Sequence, residues 1–481
     1  MRLGTTRFDA ICRARRLLVA LTSAGAGLAV LGFAGSANAS GFSTARFGGE
    51  HGHPTTDNPT AIYYNPAGLA EDGPDAEDKF WHVKIFADGA LALRWASWTH
   101  ARSTSDTDEP DDAPGSNSGE ANLFNVAGAP MIGASVQLEN FAFGLGFFVP
   151  FGGASTWDKN EAFRDNPNYA GPVDGIQRWH TIDGTLRSMY LSLGVAYDII
   201  DRISIGASVN FIRSDVQTLR ARNADSSNAV DTEGRALIDV GGWSPGFALG
   251  IIGEIAPKKV WLGFSYQSQP NVGPMTLEGT LSTNLAGNVN TQDVKFIQSL
   301  PDIYRFGVRA RPRNDLEIRV FGDVTNWSTF ENQCVIPATA EECPINADGS
   351  TSETDPTKAP LINIARDWGP AFGLRIGGSY WVIPSIELFL GAGYDSNAIP
   401  DSTLEPALTD FQKASLAGGL RFSAGKVFAF ALSYTHLFYV PRETAGQSIL
   451  PELKSPSTTP DAGGRYTQTI GVINANAELT F

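Results

Sequence analysis

Apolar residues alternate with small or polar residues along many short segments of this chain. From residue 203 to 211 every odd position is apolar and every even position is small or polar, and 428–434 repeats the pattern. A period of two places the two kinds of side chain on opposite faces of a β-strand. Beyond the N-terminal region no apolar run reaches the roughly 18 residues typical of a membrane-spanning helix. The pattern therefore predicts an all-β protein, either a soluble β-sandwich or a membrane barrel.

The lengths of the connections distinguish these two architectures. Very short turns, such as Leu138–Asn140 and Pro257–Lys259, alternate with long polar stretches. Bacterial outer-membrane barrels have short turns on the periplasmic side and long loops outside the cell, whereas a sandwich has no reason to separate its turns by length. We therefore predict a transmembrane antiparallel β-barrel of about 14 strands. We place the segment 272–281, which could form an additional strand, inside a long loop. The long loops are predicted at 103–125, 151–182, 217–243, 269–301, 328–367, 396–412 and 441–464.

The N-terminal residues have the character of a secretion signal. Several arginines precede the apolar stretch Leu17–Phe33, and Ala37–Ala39 is a small-x-small cleavage signature. We expect a signal peptide over 1–39 that is cleaved after Ala39; the alternative is a helix that remains as an anchor. At the other end, 471–481 alternates and finishes with Phe481, which resembles the C-terminal signature of outer-membrane barrels. Together these features predict the bacterial outer membrane as the location.

Charge, cysteine content and motifs restrict the possible functions. The formal net charge of −15 argues against a nucleic-acid partner. Cys334 and Cys343 share one polar segment, which predicts a disulfide in an oxidising compartment rather than a zinc site. His51 and His53 lack an apparent third ligand, so we expect a solvated loop and neither metal nor cofactor. No nucleophile elbow or phosphate-binding loop occurs, so we do not expect an enzyme. A barrel enzyme whose catalytic residues are scattered along the sequence is the alternative.

A segment rich in Gly, Pro, Asn and Thr separates the leader from the first alternating strand. It contains the motif Asn65, Pro66, Ala67 and Gly68, which resembles the N-terminal motif of FadL-type outer-membrane transporters of long-chain fatty acids and aromatic hydrocarbons. The segment 144–152 is similar to the glycine-rich third strand of that family. Residues 300–307, with Leu-Pro-Asp and Arg-Phe-Gly, are similar to its Leu-Pro segment. These similarities occur in the same order as in the family, and together they extend over nearly the whole chain after the leader.

The resemblance implies a division of the chain into an N-terminal hatch, or plug, at 40–88 and a barrel at 89–481. It also implies uptake of a hydrophobic ligand from outside by passive diffusion, with release sideways near a kinked third strand. Pro and Gly interrupt strand pairing, so they could open such a gap or simply end the strand. The candidates are Pro150, Gly152 and Gly153. Tyr63 and Tyr64, together with the two hatch histidines, depart from the family pattern.

Alternation also predicts which charged residues face the lumen. If Tyr304, Phe306 and Val308 face lipid, the intervening arginines point inward. Two interpretations are open: these cations bind a ligand carboxylate, or they pair with Glu317, Asp323 and hatch carboxylates to hold the plug. The candidate cations are Arg305, Arg309, Arg319, Arg375 and Lys413.

Three functions follow from this sequence. The first is transport of hydrophobic small molecules, and the others are a general porin for polar solutes and a barrel that acts on lipids. The expected partners are a hydrophobic ligand and the surrounding outer-membrane lipid and lipopolysaccharide. We expect a monomer, because a plugged barrel has no evident need of further subunits.

Overall fold

The computed structural model describes residues 46–71, 81–101, 109–200 and 202–481. The expected signal peptide and the first residues of the expected hatch lie outside these ranges. The described residues form nineteen strands: β1 (Trp81–His100), β2 (Gly119–Leu138), β3 (Phe141–Thr156), β4 (Asp183–Ile200), β5 (Ile203–Arg222), β6 (Gly234–Ala256), β7 (Val260–Gln267), β8 (Met275–Leu285), β9 (Asn288–Gln298), β10 (Asp302–Arg313), β11 (Leu316–Asn326), β12 (Asn332–Pro337), β13 (Ile362–Ala365), β14 (Ala371–Ile383), β15 (Ile386–Asp395), β16 (Lys413–Ala424), β17 (Phe428–Tyr439), β18 (Arg442–Glu443) and β19 (Arg465–Thr480).

Helical structure in the described residues is limited to single turns. One short α-helix, α1 (Ala61–Tyr64), precedes the 3₁₀ turn at Pro66–Leu69. No helix in the ranges above has the length and apolar character needed to cross a membrane. The other 3₁₀ turns are Gly49–His51, Glu161–Phe163, Gly171–Asp174, Ile176–Trp179, Val230–Thr232, Pro270–Val272, Trp327–Thr329 and Leu450–Glu452.

Fourteen of the strands form a closed antiparallel barrel. These are β1–β7, β10, β11, β14–β17 and β19. The ring passes from β7 directly to β10 and from β11 to β14, and β19 closes it by pairing with β1 from Lys84↔Thr480 to Thr99↔Arg465. Closure leaves no free strand edge at the ends of the sheet, which is why a β-structure can exist in lipid. The predicted all-β class and strand number are confirmed.

The segment 272–281 lies outside the ring, in the long connection between β7 and β10 where we placed it, but it is a strand rather than a loop without regular structure. Most of that segment lies in β8, which forms a hairpin with β9 and pairs with the outer end of β6. β12 and β13 extend the hairpin over the loops. The physical reason is burial, because Met275, Leu277 and Leu281 are all less than 4% exposed and pack against the aromatic core of the outer loops. These strands lie outside the ring and leave its even number unchanged.

The two faces of the wall have the predicted characters. On β5 the large side chains of Ile205, Val209 and Phe211 are exposed on the outside, whereas Ser208 and Asn210 are buried inside. A lipid-facing apolar surface and a small or polar interior are typical of transmembrane barrels. The predicted lipid-facing residues of β10 are likewise exposed, and the arginines between them are buried.

Strand ends differ from the expected boundaries in two ways. β5 and β6 have 20 and 23 residues, about twice the 9–11 needed to cross the membrane, so they continue into the predicted outer loops. β1 begins at Trp81, eight residues before the expected start of the barrel. Lys84 and Asp88, which the expected division assigned to the hatch, lie in β1, point inward and bind the backbone of the N-terminal segment. A disulfide joins Cys334 and Cys343 in the outer loops, with 6.3 Å between their Cα atoms.

Candidate functional site

The N-terminal segment, defined here as residues 46–71, contacts the inner faces of strands around the ring. Glycines leave room for its backbone. A Cβ atom added at Gly206 would lie 2.3 Å from the carbonyl carbon of Pro66, and one at Gly263 would lie 2.3 Å from the oxygen of Pro54. Only glycine allows so close an approach of two backbones. Most of these glycines face each other across neighbouring strands, in the pairs Gly133↔Gly146, Gly144↔Gly194, Gly206↔Gly250, Gly263↔Gly307 and Gly377↔Gly391.

The Asn-Pro-Ala-Gly motif attaches this segment to β6 and β7. The Asn65 amide donates to the carbonyls of Ile251 and Phe264, at 3.1 and 3.3 Å, and to Pro54 O at 2.8 Å. Its carbonyl oxygen accepts from the Ala67 N–H, which caps the following 3₁₀ turn, and Pro66 occupies the first position of that turn. Gly68 faces Thr56 O, 2.2 Å from where a Cβ would lie. Contacts in the structure thus explain why each of these motif residues is of its particular type.

Two of the five candidate cations hold the N-terminal segment. Arg309 lies 2.9 Å from the carboxylate of Asp57, and Arg319 donates to the carbonyl of Glu50 at 3.0 Å. Burial alone would raise the pKa of Asp57, but the attraction of Arg309 overcomes it and lowers that pKa to about 2. Asp57 is therefore ionised at neutral pH. For these two residues the geometry matches the plug-holding interpretation.

The other three candidate cations have different surroundings. Arg375 is paired within the wall, 2.6 Å from Asp395 and 3.4 Å from Asp323. Arg305 lies 4.3 Å above the ring of Tyr63 and donates to the side-chain oxygen of Gln267. Lys413 is buried with its ammonium 5.8 Å from the ring centre of Tyr439. Neither Arg305 nor Lys413 contacts a carboxylate of the described chain within 4 Å.

The two histidines of the segment are buried rather than solvated, so that expectation is wrong. His51 Nε2 lies 2.9 Å from Glu387 Oε1, and His53 Nδ1 lies 2.9 Å from the hydroxyl of Thr55. Burial lowers the pKa of His53, and Arg319 lowers it further. No group of three or more metal-ligating side chains is assembled in the residues that the structure describes. Both histidines therefore pack the segment against its surroundings.

A chain of aromatic rings leads from the N-terminal segment to the outer loops. Its ring centres are 4.9–6.3 Å apart, within the usual range for favourable aromatic contacts. It forms a continuous row of ring contacts within the ring of strands, and its rings are mostly buried. Sequence reasoning did not select these residues as a site, and the only signal was the unexpected tyrosine pair at 63–64. The rings follow the order Phe47, Tyr63, Phe148, Tyr190, Phe151, Trp327 and Trp368.

The aromatic chain passes a break in the wall between β2 and β3. Pairing of these strands begins at Leu138↔Phe141 and ends at Met131↔Phe148. Beyond that point β2 pairs only with β1, and β3 pairs only with β4, with a register shift between Phe148 and Phe151. Pro150 lies in this irregularity because it has no N–H to donate. The strand does not end there, since Gly152 and Gly153 pair with β4, so the strand-ending interpretation is wrong.

Together, the closed ring, the lipid-facing surface and the polar interior crossed by an aromatic path define an outer-membrane β-barrel. The model of the family described as outer membrane protein transport protein (OMPP1/FadL/TodX) matches residues 18–448. The chain belongs to this family, which consists of transport proteins. A Neisseria meningitidis chain described as an outer membrane protein is 22% identical over 397 residues, covering 79% of this chain and 80% of that one.

Solved structures have the same fold. A Pseudomonas aeruginosa FadL homologue superposes with a TM-score of 0.66 at 18% identity, covering 91% of this chain and 99% of the other. The Ralstonia pickettii toluene transporter TbuX gives 0.57 at 16%, covering 88% and 94%. The Pseudomonas putida toluene transporter TodX gives 0.56 at 15%, covering 93% and 99%. The predicted family and outer-membrane location are confirmed.

Proposed function

We propose that this protein carries hydrophobic small molecules across the outer membrane by passive diffusion. Membership of a family of outer-membrane transport proteins supports transport of hydrophobic molecules rather than a general porin. The observation that carries the finer proposal is the aromatic path beside the break in the β2–β3 wall. An apolar molecule gains little from an aqueous pore, but it can bind along aromatic rings and partition into lipid.

In this proposal the N-terminal segment acts as the hatch. Its contacts with β1, β6, β7, β10, β11 and β15 support a plug that blocks direct passage to the periplasm. A molecule that enters from outside would meet Trp368 and Trp327 first and reach Tyr63 and Phe47 at the inner end of the path. It would then leave sideways between β2 and β3, where exposed Phe124 and Val126 mark the lipid-facing side of the wall.

The remaining cations suggest where a polar end would bind. Arg305 and Lys413 are the two candidate cations with no carboxylate contact in the described chain, and Arg305 lies at the end of the aromatic path. A buried cation without an anionic partner favours a carboxylate ligand. We therefore assign the head-group role to Arg305 and Lys413 and the structural role to Arg309, Arg319 and Arg375. We also propose that the protein acts as a monomer, that outer-membrane lipid and lipopolysaccharide surround it, and that it is not an enzyme.

The decisive experiment compares two ligands on purified full-length protein. Binding of oleate and of naphthalene is measured in detergent for the wild type and for Arg305→Gln. The change should weaken oleate binding about tenfold, because a charged hydrogen bond is lost, and leave naphthalene within about twofold. The variant Arg465→Gln, which changes an exposed outer arginine that contacts Glu443, is the control. Absence of binding of either ligand to the wild type would contradict the proposal.

A further inference from the structure

A side-chain bridge spans the break between β2 and β3. Above Met131↔Phe148 the next backbone hydrogen bond between these two sides, within residues 109–200, runs from Asp158 N to Asn122 O at 2.9 Å. Between these points side chains bind one backbone carbonyl of β3. The oxygen of Ala154 accepts from the Asn125 amide at 2.8 Å and from the Arg94 guanidinium at 3.3 Å.

Arg94 and Asn125 are direct cross-strand partners. They lie opposite each other in the β1–β2 pairing, and both point into the lumen. Their side chains therefore reach the same carbonyl from two adjacent strands. A backbone carbonyl that is withdrawn from water and not paired with a neighbouring strand needs another donor. The bridge supplies donors where the strand ladder does not.

Arg94 also connects the break to the outer part of the molecule. Its Nε donates to Gln468 of β19 at 2.8 Å, and its second terminal nitrogen donates to the hydroxyl of Thr409 at 2.9 Å. Thr409 belongs to the loop between β15 and β16, and it also contacts Gln468. Arg94 is 3% exposed and contacts no carboxylate of the described residues within 4 Å. One guanidinium thus joins β19, an outer loop and the kinked strand.

A cavity opens on the outer surface beside the bridge. A cavity of about 430 Å³ lies against β1, β2 and β19, and its lining includes Gln468, Asp158, Trp95 and Phe124. The rings of Trp95 and Phe124 are 5.1 Å apart and about half exposed. Its volume lies in the range of small-ligand sites.

We propose that Arg94 and Asn125 form a gate across the wall, and that apolar cargo leaves the lumen only when their hydrogen bonds to Ala154 open. This inference rests on the sideways exit in the proposed function and adds the residues that control it. While closed, the gate places a charge and an amide in the break, which excludes lipid tails from the lumen. The Thr409 contact makes the gate sensitive to movement of the outer loop.

The test separates binding from release. Full-length protein in phosphatidylethanolamine–phosphatidylglycerol nanodiscs is loaded with naphthalene, and arrival in the bilayer is followed by energy transfer to a dansyl-labelled lipid. The double variant Arg94→Gln/Asn125→Ala should transfer about tenfold faster with unchanged binding, because charged and neutral hydrogen bonds holding the gate are lost. Asn210→Ala removes a buried lumen asparagine from β5 instead and should match the wild type.

A second variant replaces the Asn125 hydrogen bond with a covalent link across the break. Asn125→Cys/Ala154→Cys, joined by a short bis-maleimide, should retain binding and transfer at least tenfold more slowly than before crosslinking. Amide exchange of 149–156 should quicken in the double variant and slow in the crosslinked one. Wild-type transfer by the crosslinked protein would overturn the gate. A wild type that binds naphthalene but never delivers it to the bilayer would overturn sideways exit, and one that binds none would overturn the proposed function itself.

Discussion

At the scale of single residues, identical side chains have different roles because of their partners. Arg305 and Arg309 are four positions apart on β10 and both point inward, yet only Arg309 reaches a carboxylate, that of Asp57. The difference comes from the N-terminal segment, which places Asp57 beside one arginine and Tyr63 beside the other. The small residues matter equally, since a glycine sets how close the segment can approach the wall.

The close contact between Gly206 and the N-terminal segment predicts the effect of adding a single methyl group. Gly206→Ala should destabilise the seating of the N-terminal segment by about 1–3 kcal/mol, because the new Cβ would overlap backbone atoms of Pro66 and Ala67. Faster amide exchange in 46–71 would report the loss. The control Gly253→Ala adds a methyl on the neighbouring strand, where the nearest atom is 3.8 Å away. Equal exchange in the two variants would show that the close contact has no energetic role.

At the scale of elements, the outer loops have a polar network of their own above the aromatic path. Glu405 accepts from Arg366 at 2.7 Å, and its other oxygen lies 3.1 Å from His180 Nδ1. Arg366 also binds the side chain of Gln333 in β12. Three separate loops are thereby joined. Burial alone would raise the pKa of Glu405, but Arg366 and His180 together lower it to about 2.

This shift predicts that acid loosens the loops before the wall. A carboxylate with a depressed folded-state pKa stabilises above its ordinary value of 4.5 and loses that contribution as pH falls towards about 2. Cleavage within 396–412 by an acid-active protease should therefore increase as the pH is lowered from 5 to 2. The circular dichroism of the barrel should not change over the same range. Glu405→Gln should be cleaved readily at both pH values. Cleavage of the wild type that does not change with pH would contradict this assignment.

At the scale of the whole molecule, the wall and its contents have separable roles. The wall is a closed ring of fourteen strands stabilised by its own hydrogen bonds, and the N-terminal segment is bound to it by side chains and close packing. Removing the segment should leave the ring closed while emptying its centre. The interior facing that space carries polar and charged groups, which favour water.

Deletion of residues 46–71 should therefore convert a poorly conducting barrel into an aqueous channel. Single-channel recordings in planar bilayers should show an ion conductance at least about tenfold above that of the intact chain, as expected for a polar, water-filled lumen. Cys334→Ser/Cys343→Ser, which alters only an outer loop, should conduct like the wild type. High conductance of the intact chain would instead favour a porin.

Several features could be predicted from local pattern. Alternation of apolar and polar residues determined the strands, their faces and the inward direction of Arg305, Arg309 and Arg319. The reason is that side-chain direction in a strand depends only on whether the position is odd or even, which we call its parity. The segregation of short turns and long loops determined the barrel topology. The Asn65 motif indicated the family, although its hydrogen bonds to the wall could not be predicted from the sequence.

The remaining features depend on contacts between residues distant in the sequence. Whether a lumen cation binds Asp57, Asp395 or no carboxylate depends on which segment lies opposite it, and parity does not determine this. The β8 strand, the aromatic path and the break between β2 and β3 likewise arise from packing among loops, the N-terminal segment and neighbouring strands. The sequence by itself determined which way each side chain points, whereas the tertiary structure decided what it meets, because register and packing are set by long-range contacts.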